Sequence, residues 1–174
     1  SSMAGVKNQL EKGLDTLVNS LDAQARGCVE FCVIAFDDNA RIISPFAPLY
    51  DFESVRINCD GMTAMHAAVD LGLKEIEARK EQYKEQGVPY FRPWMYLLTD
   101  GGANDSDNGA FERLLDAQKN KHATFFPVAI GESTDMNLLK TLREDGLVLK
   151  ASKENFEGAF VWLGNSMSRV SNSK

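Results

Sequence analysis

The segment that most constrains the fold is an apolar run that ends on a carboxylate and two glycines. Residues 94–99 read Trp-Met-Tyr-Leu-Leu-Thr, and Asp100, Gly101 and Gly102 follow them. An apolar run of this length, bounded by turn residues, is typical of a strand buried in a sheet that helices cover. Ligands of such α/β sheets gather outside the carboxyl ends of the strands. We therefore predict that Asp100 lies at a binding site.

Helices and strands alternate along the rest of the chain. Apolar residues at helical spacing predict a helix over about residues 5–24, which Gly27 ends. Two strands at 28–36 and 40–45 follow, and the short turn between them predicts an antiparallel hairpin in which Pro45 marks an edge. The remaining predictions are a long helix starting at Thr63, the strand that ends before Asp100, a helix around 111–117, a strand at 123–130, a short helix at 136–142, a strand at 147–149 and a helix at 156–167, with a fraying tail over 168–174.

This order predicts an α/β fold with a doubly wound, Rossmann-like, mostly parallel sheet, helices on both faces and one antiparallel edge strand. The length of 174 residues fits a single domain spanning residues 1–174. The first predicted helix has no strand before it, although its loop looks like part of a strand-loop-helix unit. We expect the first central strand to lie outside this chain, so that the domain is N-terminally incomplete.

Composition excludes several classes of partner. The net charge of −6 and the pI near 5.0 argue against nucleic acid or an anionic membrane bound through bulk charge. No stretch reaches the roughly 18 apolar residues of a membrane helix. The three cysteines, Cys28, Cys32 and Cys59, do not have the spacing of a disulfide framework. Together with His66 and His122 they do not have the spacing of a zinc site either. We predict buried thiols in a reducing, cytoplasmic compartment.

Two further loops point to the same site as Asp100. Residues 1–5 and 60–65 each place small hydroxyl residues next to Gly just before a predicted helix, which makes Ser2 and Thr63 candidate ligands. An Asp and two hydroxyls from three loops form the oxygen-rich set that a hard divalent cation prefers. Alternatives remain open, because Ser2 and Thr63 also fit helix N-caps and Asp100 also fits a turn.

The three loops resemble the metal-ion-dependent adhesion site (MIDAS) of von Willebrand factor A (VWA) domains. That site combines an Asp-x-Ser-x-Ser motif after the first strand with a Thr and an Asp from two later loops. Ser2 matches the last Ser of the motif, Thr63 the Thr and Asp100 the Asp, whereas the motif's own Asp and first Ser would precede Ser1. The resemblance implies that Ser2, Thr63 and Asp100 hold Mg²⁺, or Mn²⁺ or Ca²⁺, and that a protein partner's acidic residue completes the coordination.

Two longer segments resemble a compact bacterial subgroup, the tellurium-resistance-associated, TerY-like A-domain proteins. They are residues 79–94 and residues 160–171. This resemblance implies a bacterial stress-response or signalling protein.

We predict a divalent-cation-dependent protein-interaction module and not an enzyme, since no nucleophile elbow, Walker loop or Asp-x-Asp motif follows a strand. One alternative is a degenerate VWA-like site that binds partners without metal, and a second is a metal-assisted phosphohydrolase. The remaining polar residues near the loops are interpreted as solvated or as packing residues, namely Asp60, Asn104, Asp105, Asp107, His66 and His122. The sequence identifies neither the partner nor the oligomeric state.

Overall fold

A computed structural model describes residues 4–21, 23–56, 63–152 and 157–172. The chain divides into two compact units. The first unit comprises residues 1–35, 42–60 and 151–174, and the second comprises residues 36–41 and 61–150. No helix in these described ranges is both long and apolar enough to cross a membrane.

Apart from the additional short helix α2, the described helices and strands follow the predicted order. They are α1 (Ala4–Ser20), α2 (Ala23–Cys28), β1 (Glu30–Phe36), β2 (Ala40–Pro48), α3 (Met65–Glu85), β3 (Trp94–Thr99), α4 (Ala110–Lys119), β4 (Thr124–Ile130), α5 (Met136–Thr141), β5 (Leu149–Ala151) and α6 (Glu157–Asn172). Strands β3, β4 and β5 form a parallel sheet in that order, and β1 and β2 form an antiparallel pair. The predicted α/β fold, with a parallel sheet flanked by helices and an antiparallel pair, is confirmed.

The core of the second unit positions the end of β3. Strand β3 pairs with β4 in parallel register from Trp94 opposite Thr124. The side chains of Leu97 and Phe125 are buried against Leu114 of α4 and apolar residues of α3. Among the described strands, β3 lies at one edge of this sheet, and its sequence is mainly apolar up to Thr99. The expected strand before residue 1 stays a prediction.

The first unit is built around a close approach of α1 and α6. A Cβ atom on Gly13 would collide with the ring of Phe160, and one on Gly164 would collide with the hydroxyl of Ser20. The absence of side chains at these two glycines is therefore what lets the two helices pack closely.

The prediction for the first helix is wrong in detail. Helix α1 ends at Ser20, and Gly27 lies inside a second short helix, α2, instead of ending the first. The guanidinium of Arg26 donates to the carbonyl oxygens of Leu21 and Asn19, at 3.0 and 3.2 Å. These bonds satisfy one carbonyl in the last turn of α1 and one directly after it.

Two other sequence predictions also need correction. Cys28 ends α2 and is exposed, so it is neither a strand residue nor a buried thiol. Cys32 is half-buried in β1, and Cys59 lies outside the described residues. Helix α6 continues to Asn172, so residues 168–172 are helical. Met167, directly before the predicted tail, packs against the core of the first unit.

Candidate functional site

The loop after β3 begins with a fixed turn. The N–H of Gly101 donates to the hydroxyl of Thr99 at 3.2 Å, and the hydroxyl of Thr134 donates to the carbonyl of Thr99 at 3.3 Å. Asp100 follows Thr99 at the carboxyl end of the strand, as predicted, and its Oδ2 atom is buried. The burial distinguishes this carboxylate from a solvated turn residue.

Thr63 lies beside the same turn. A Cβ atom built on Gly101 would lie 3.9 Å from the Oγ1 atom of Thr63. The N–H of Asn104 donates to the carbonyl of Thr63 at 3.0 Å. The structure thus brings the hydroxyl of Thr63 next to the residue that follows Asp100, within one compact unit.

The turn between β1 and β2 contacts the start of α3. The N–H of Ala64 donates to the carbonyl of Asp37 at 2.7 Å. Burial raises the pKa of the Asp37 carboxyl, but hydrogen bonds from the Arg41 guanidinium, at 2.8 Å, and from the N–H of Asn39 outweigh it, so the pKa lies below its usual value. This carboxylate is thus engaged within its own turn.

The third predicted ligand cannot be placed. Ser2 lies outside the described residues, as does Asp60 in the second loop. The roles of Ser2, Thr63 and Asp100 as metal ligands therefore stay predictions.

The N-cap of α3 is not the predicted one. Thr63 precedes the N-cap position, which Ala64 occupies without a capping side chain. Instead, the carboxylate of Asp105 accepts from the N–H of His66 at 3.1 Å and from the N–H of Ala67 at 2.9 Å. The interpretation of Asp105 as a solvated loop residue is therefore wrong. Its carboxylate binds open N–H groups in the first turn of α3, which lie 38 and 39 residues earlier in the chain.

The surroundings of Asp105 favour its ionised form. Burial raises the pKa of this carboxyl, but the hydrogen bonds from the Ala67 N–H and the His66 ring lower it by more. The pKa therefore lies below its usual value of 3.8. The ring Nδ1 of His66 lies 2.9 Å from Oδ1 of Asp105. A negative charge at the N-terminus of a helix is also favourable because the open N–H groups point toward it.

We expect the change Asp105→Ala to lower the free energy of unfolding by about 1–2 kcal/mol at neutral pH, because two helix N–H groups lose their acceptor. Since the folded pKa is lowered, this stabilisation is present above the unfolded pKa near 4 and is lost as pH falls through the folded value. Urea unfolding of both proteins across the acid range checks this: the difference between them should shrink toward low pH. A difference independent of pH would contradict it.

His66 is a packing residue, as predicted. Its ring stacks on Phe111 with centroids 3.9 Å apart, and its side chain is 12% exposed. The described part of the chain holds no group of three or more His, Cys, Asp or Glu side chains that could bind a metal. A cation here would therefore depend on hydroxyl oxygen as well as carboxylate, a hard donor set that suits Mg²⁺ or Mn²⁺. The hydroxyl of Thr63 and the carboxylate of Asp100 fit that requirement.

A second carboxylate near these loops was missed from the sequence. A Cβ atom on Gly102 would lie 3.5 Å from Oδ2 of Asp135, and the N–H of Asp135 donates to the carbonyl of Gly101 at 3.4 Å. Asp135 caps α5 by accepting from the N–H of Leu138 at 3.0 Å. The available signal was its place in the loop after β4, because adjacent parallel strands end at the same edge of the sheet.

No family model matches the sequence, and no curated protein matches it. Solved structures do match. A von Willebrand factor type A protein from Catenulispora acidiphila has a TM-score of 0.69 and 16% identity, over 96% of this chain and 40% of that one. Proximal thread matrix protein 1 from the mussel byssus, with a zinc-occupied MIDAS motif, has a TM-score of 0.61 and 15% identity, over 97% of this chain and 43% of that one.

A third match covers most of its own chain. It is the conserved hypothetical protein BatB from Bacteroides thetaiotaomicron, with a TM-score of 0.62 and 15% identity, over 95% of this chain and 88% of that one. The present chain spans about two fifths of the length of the first two proteins. At these identities the likeness shows the fold, which is VWA-like. The TerY-like subgroup stays a prediction.

Proposed function

We propose that this chain is a VWA-type protein-interaction module that binds an acidic residue of a partner through a divalent cation. The observation that carries the proposal is that the Thr63 hydroxyl lies beside Gly101, the residue that follows Asp100 in the chain. The zinc-occupied MIDAS motif of the mussel protein, which shares the fold, supports a metal role at the corresponding loops. We extend that role to this chain as Mg²⁺ or Mn²⁺, which the oxygen donors suit.

In this proposal, Asp100 supplies the charge and Thr63 a neutral oxygen. Ser2 of the first loop would add a second hydroxyl. A bound cation would supply an electrophilic centre with an open position for a partner's carboxylate. The surrounding chain holds the two loops at fixed spacing, because the Asn104 N–H binds the Thr63 carbonyl and Asp105 binds the start of α3. A rigid loop pair lets binding proceed with little ordering of the chain.

We propose binding and not catalysis because recognition at such a site needs no nucleophile or general base. We also propose a TerY-like bacterial stress-response setting, which the likeness of residues 79–94 and 160–171 to that subgroup supports. Its partner would be a protein that offers an exposed Asp or Glu.

The test uses the cation alone, since no partner is needed to measure the site. Calorimetric titration with Mn²⁺ should give one site, and Thr63→Ala should weaken it by about tenfold or more because one of few protein ligands is removed. Thr63→Ser keeps the hydroxyl and should restore affinity. Thr141→Ala, at the exposed last residue of α5, serves as the control for a lost threonine hydroxyl elsewhere.

Equal Mn²⁺ affinity in the wild type and Thr63→Ala would refute the assigned ligand set. A wild type that binds neither Mn²⁺ nor Mg²⁺ would refute the metal-dependent proposal and favour the metal-free VWA-like alternative.

A further inference from the structure

Four loops of the second unit form one continuous surface. The N–H of Ala64 donates to the carbonyl of Asp37 at 2.7 Å, which joins the turn after β1 to the start of α3. A backbone hydrogen bond of 3.0 Å joins the start of α3 to Asn104 in the loop after β3, and another of 3.4 Å joins that loop to Asp135 in the loop after β4. This surface, which we call the rim, includes the two described candidate ligands and consists of residues 37–41, 63–64, 100–109 and 131–135.

The rim is strongly acidic. It has one cationic side chain, that of Arg41, and seven carboxylates. The carboxylates are those of Asp37, Asp38, Asp100, Asp105, Asp107, Glu132 and Asp135. The resulting net charge of −6 equals that of the whole chain, so positive and negative side chains balance in the rest of it. A divalent cation bound at Asp100 would therefore still leave the rim negative.

Much of this charge is open to an approaching molecule. Four of the carboxylates are exposed, namely Asp38, Asp107, Glu132 and Asp135. Backbone N–H groups bind Asp107 at 2.8 Å and Asp135 at 3.0 Å, which fixes these side chains and leaves their negative charge in place. The guanidinium of Arg41 lies 2.8 Å from Asp37, which is not one of the exposed four.

Arg113, a cationic side chain that borders the rim, is balanced by carboxylates. Its guanidinium donates to the carbonyl of Asn108 in the rim at 3.1 Å. The same guanidinium lies 2.6 Å from Asp70, and both residues line a cavity together with Lys74 and Glu77. This cavity has two cationic and two acidic side chains, so it does not offset the charge of the rim.

We propose that the partner of the cation site is a protein segment in which one Asp or Glu is flanked on both sides by Lys or Arg. This inference rests on the proposed function, and it adds the charges that surround the partner's carboxylate. The central carboxylate completes the coordination of the cation, and the flanking cations pair with exposed rim carboxylates such as Glu132 and Asp107. An acidic segment would bring further negative charge to a surface that is already negative, which costs free energy. Opposite charge on the flanks also speeds the encounter of the two molecules.

The test uses a displayed library of twelve-residue peptides with one fixed central Glu and random flanks, selected on the full chain in Mn²⁺. Peptides with Lys or Arg on both sides of the Glu should be enriched, and excess chelator should release them. Their affinity, measured by fluorescence polarisation, should fall by about fivefold or more in Glu132→Lys, and it should fall as salt is added. Glu85→Lys is the matched control, because it makes the same charge change at an exposed residue at the far end of α3, about 30 Å from the start of that helix.

Three results would overturn this inference while the proposed function stands. The first is enrichment of peptides with neutral or acidic flanks by a protein that binds Mn²⁺ in calorimetry, and the second is the absence of any enriched peptide from such a protein. The third is equal affinity in the wild type and Glu132→Lys. Basic peptides that bind equally well in chelator, or with Gln in place of the central Glu, would contradict docking through the cation. A wild type that binds no Mn²⁺ would overturn the proposed function and this inference with it.

Discussion

Replacing Asp100 with Asn is expected to remove cation binding while the fold survives. Asn has nearly the same size and shape, so the turn after β3 can form, but it carries no charge. Asp100 is the only charged member of the predicted ligand set, and a neutral site competes poorly with water for a divalent ion. We expect the Mn²⁺ affinity to fall at least about 100-fold. Calorimetric titration measures this, and thermal unfolding followed by circular dichroism checks the fold.

The neighbouring carboxylate provides the control for Asp100. Asp135→Asn also removes a charge near these loops, and Asn can still cap α5. We expect it to leave the Mn²⁺ affinity within a few fold of the wild type. If Asp135→Asn lost as much affinity as Asp100→Asn, the ligand set predicted from the sequence would be wrong, and Asp135 would belong to it.

The largest expected loss of stability comes from Phe125→Ala. Phe125 is 1% exposed and lies in the core between the parallel sheet and helices α3 and α4. Removing its ring leaves a cavity among Leu97, Leu114 and their neighbours, which cannot fully collapse onto it. We expect the free energy of unfolding to fall by about 3–5 kcal/mol, measured by urea unfolding.

Phe91→Ala removes the same ring from an exposed position. Since Phe91 is 63% exposed, we expect its loss to change the free energy of unfolding by no more than about 0.5 kcal/mol. A similar cost for both changes would mean that Phe125 is less well packed than described or that Phe91 supports the fold.

Hydrophobic periodicity predicted the order of elements because it reports local burial. The apolar run before Asp100 placed β3 and its carboxyl end correctly, because the apolar residues and the polar residues that end the strand are adjacent in the sequence. The same reasoning placed the long helix α3, whose buried residues recur at helical spacing. In both elements the apolar pattern lies within the element itself, so the sequence alone could place them.

Two of the incorrect predictions concern contacts between distant residues. Thr63 looked like the cap of α3 because of its position, but the capping carboxylate is Asp105 from the loop after β3. Asp135 approaches Gly102 only because β3 and β4 are neighbours in the sheet. Neither of these pairings leaves a local pattern that the sequence reveals. The error at Gly27 is local: residue type suggests a helix end there, whereas α1 ends at Ser20 and the guanidinium of Arg26 donates to the carbonyl of Leu21, five residues earlier.

The cap on α3 links the folding of the helix to the formation of the candidate site. Asp105 and His66 are 39 positions apart, so the first turn of α3 has no capping partner until β3 and its loop are in place. A contact that closes so long a stretch of chain forms slowly compared with helix growth. The start of α3, Thr63 and the Asp100 loop should therefore reach their native arrangement in one late kinetic step.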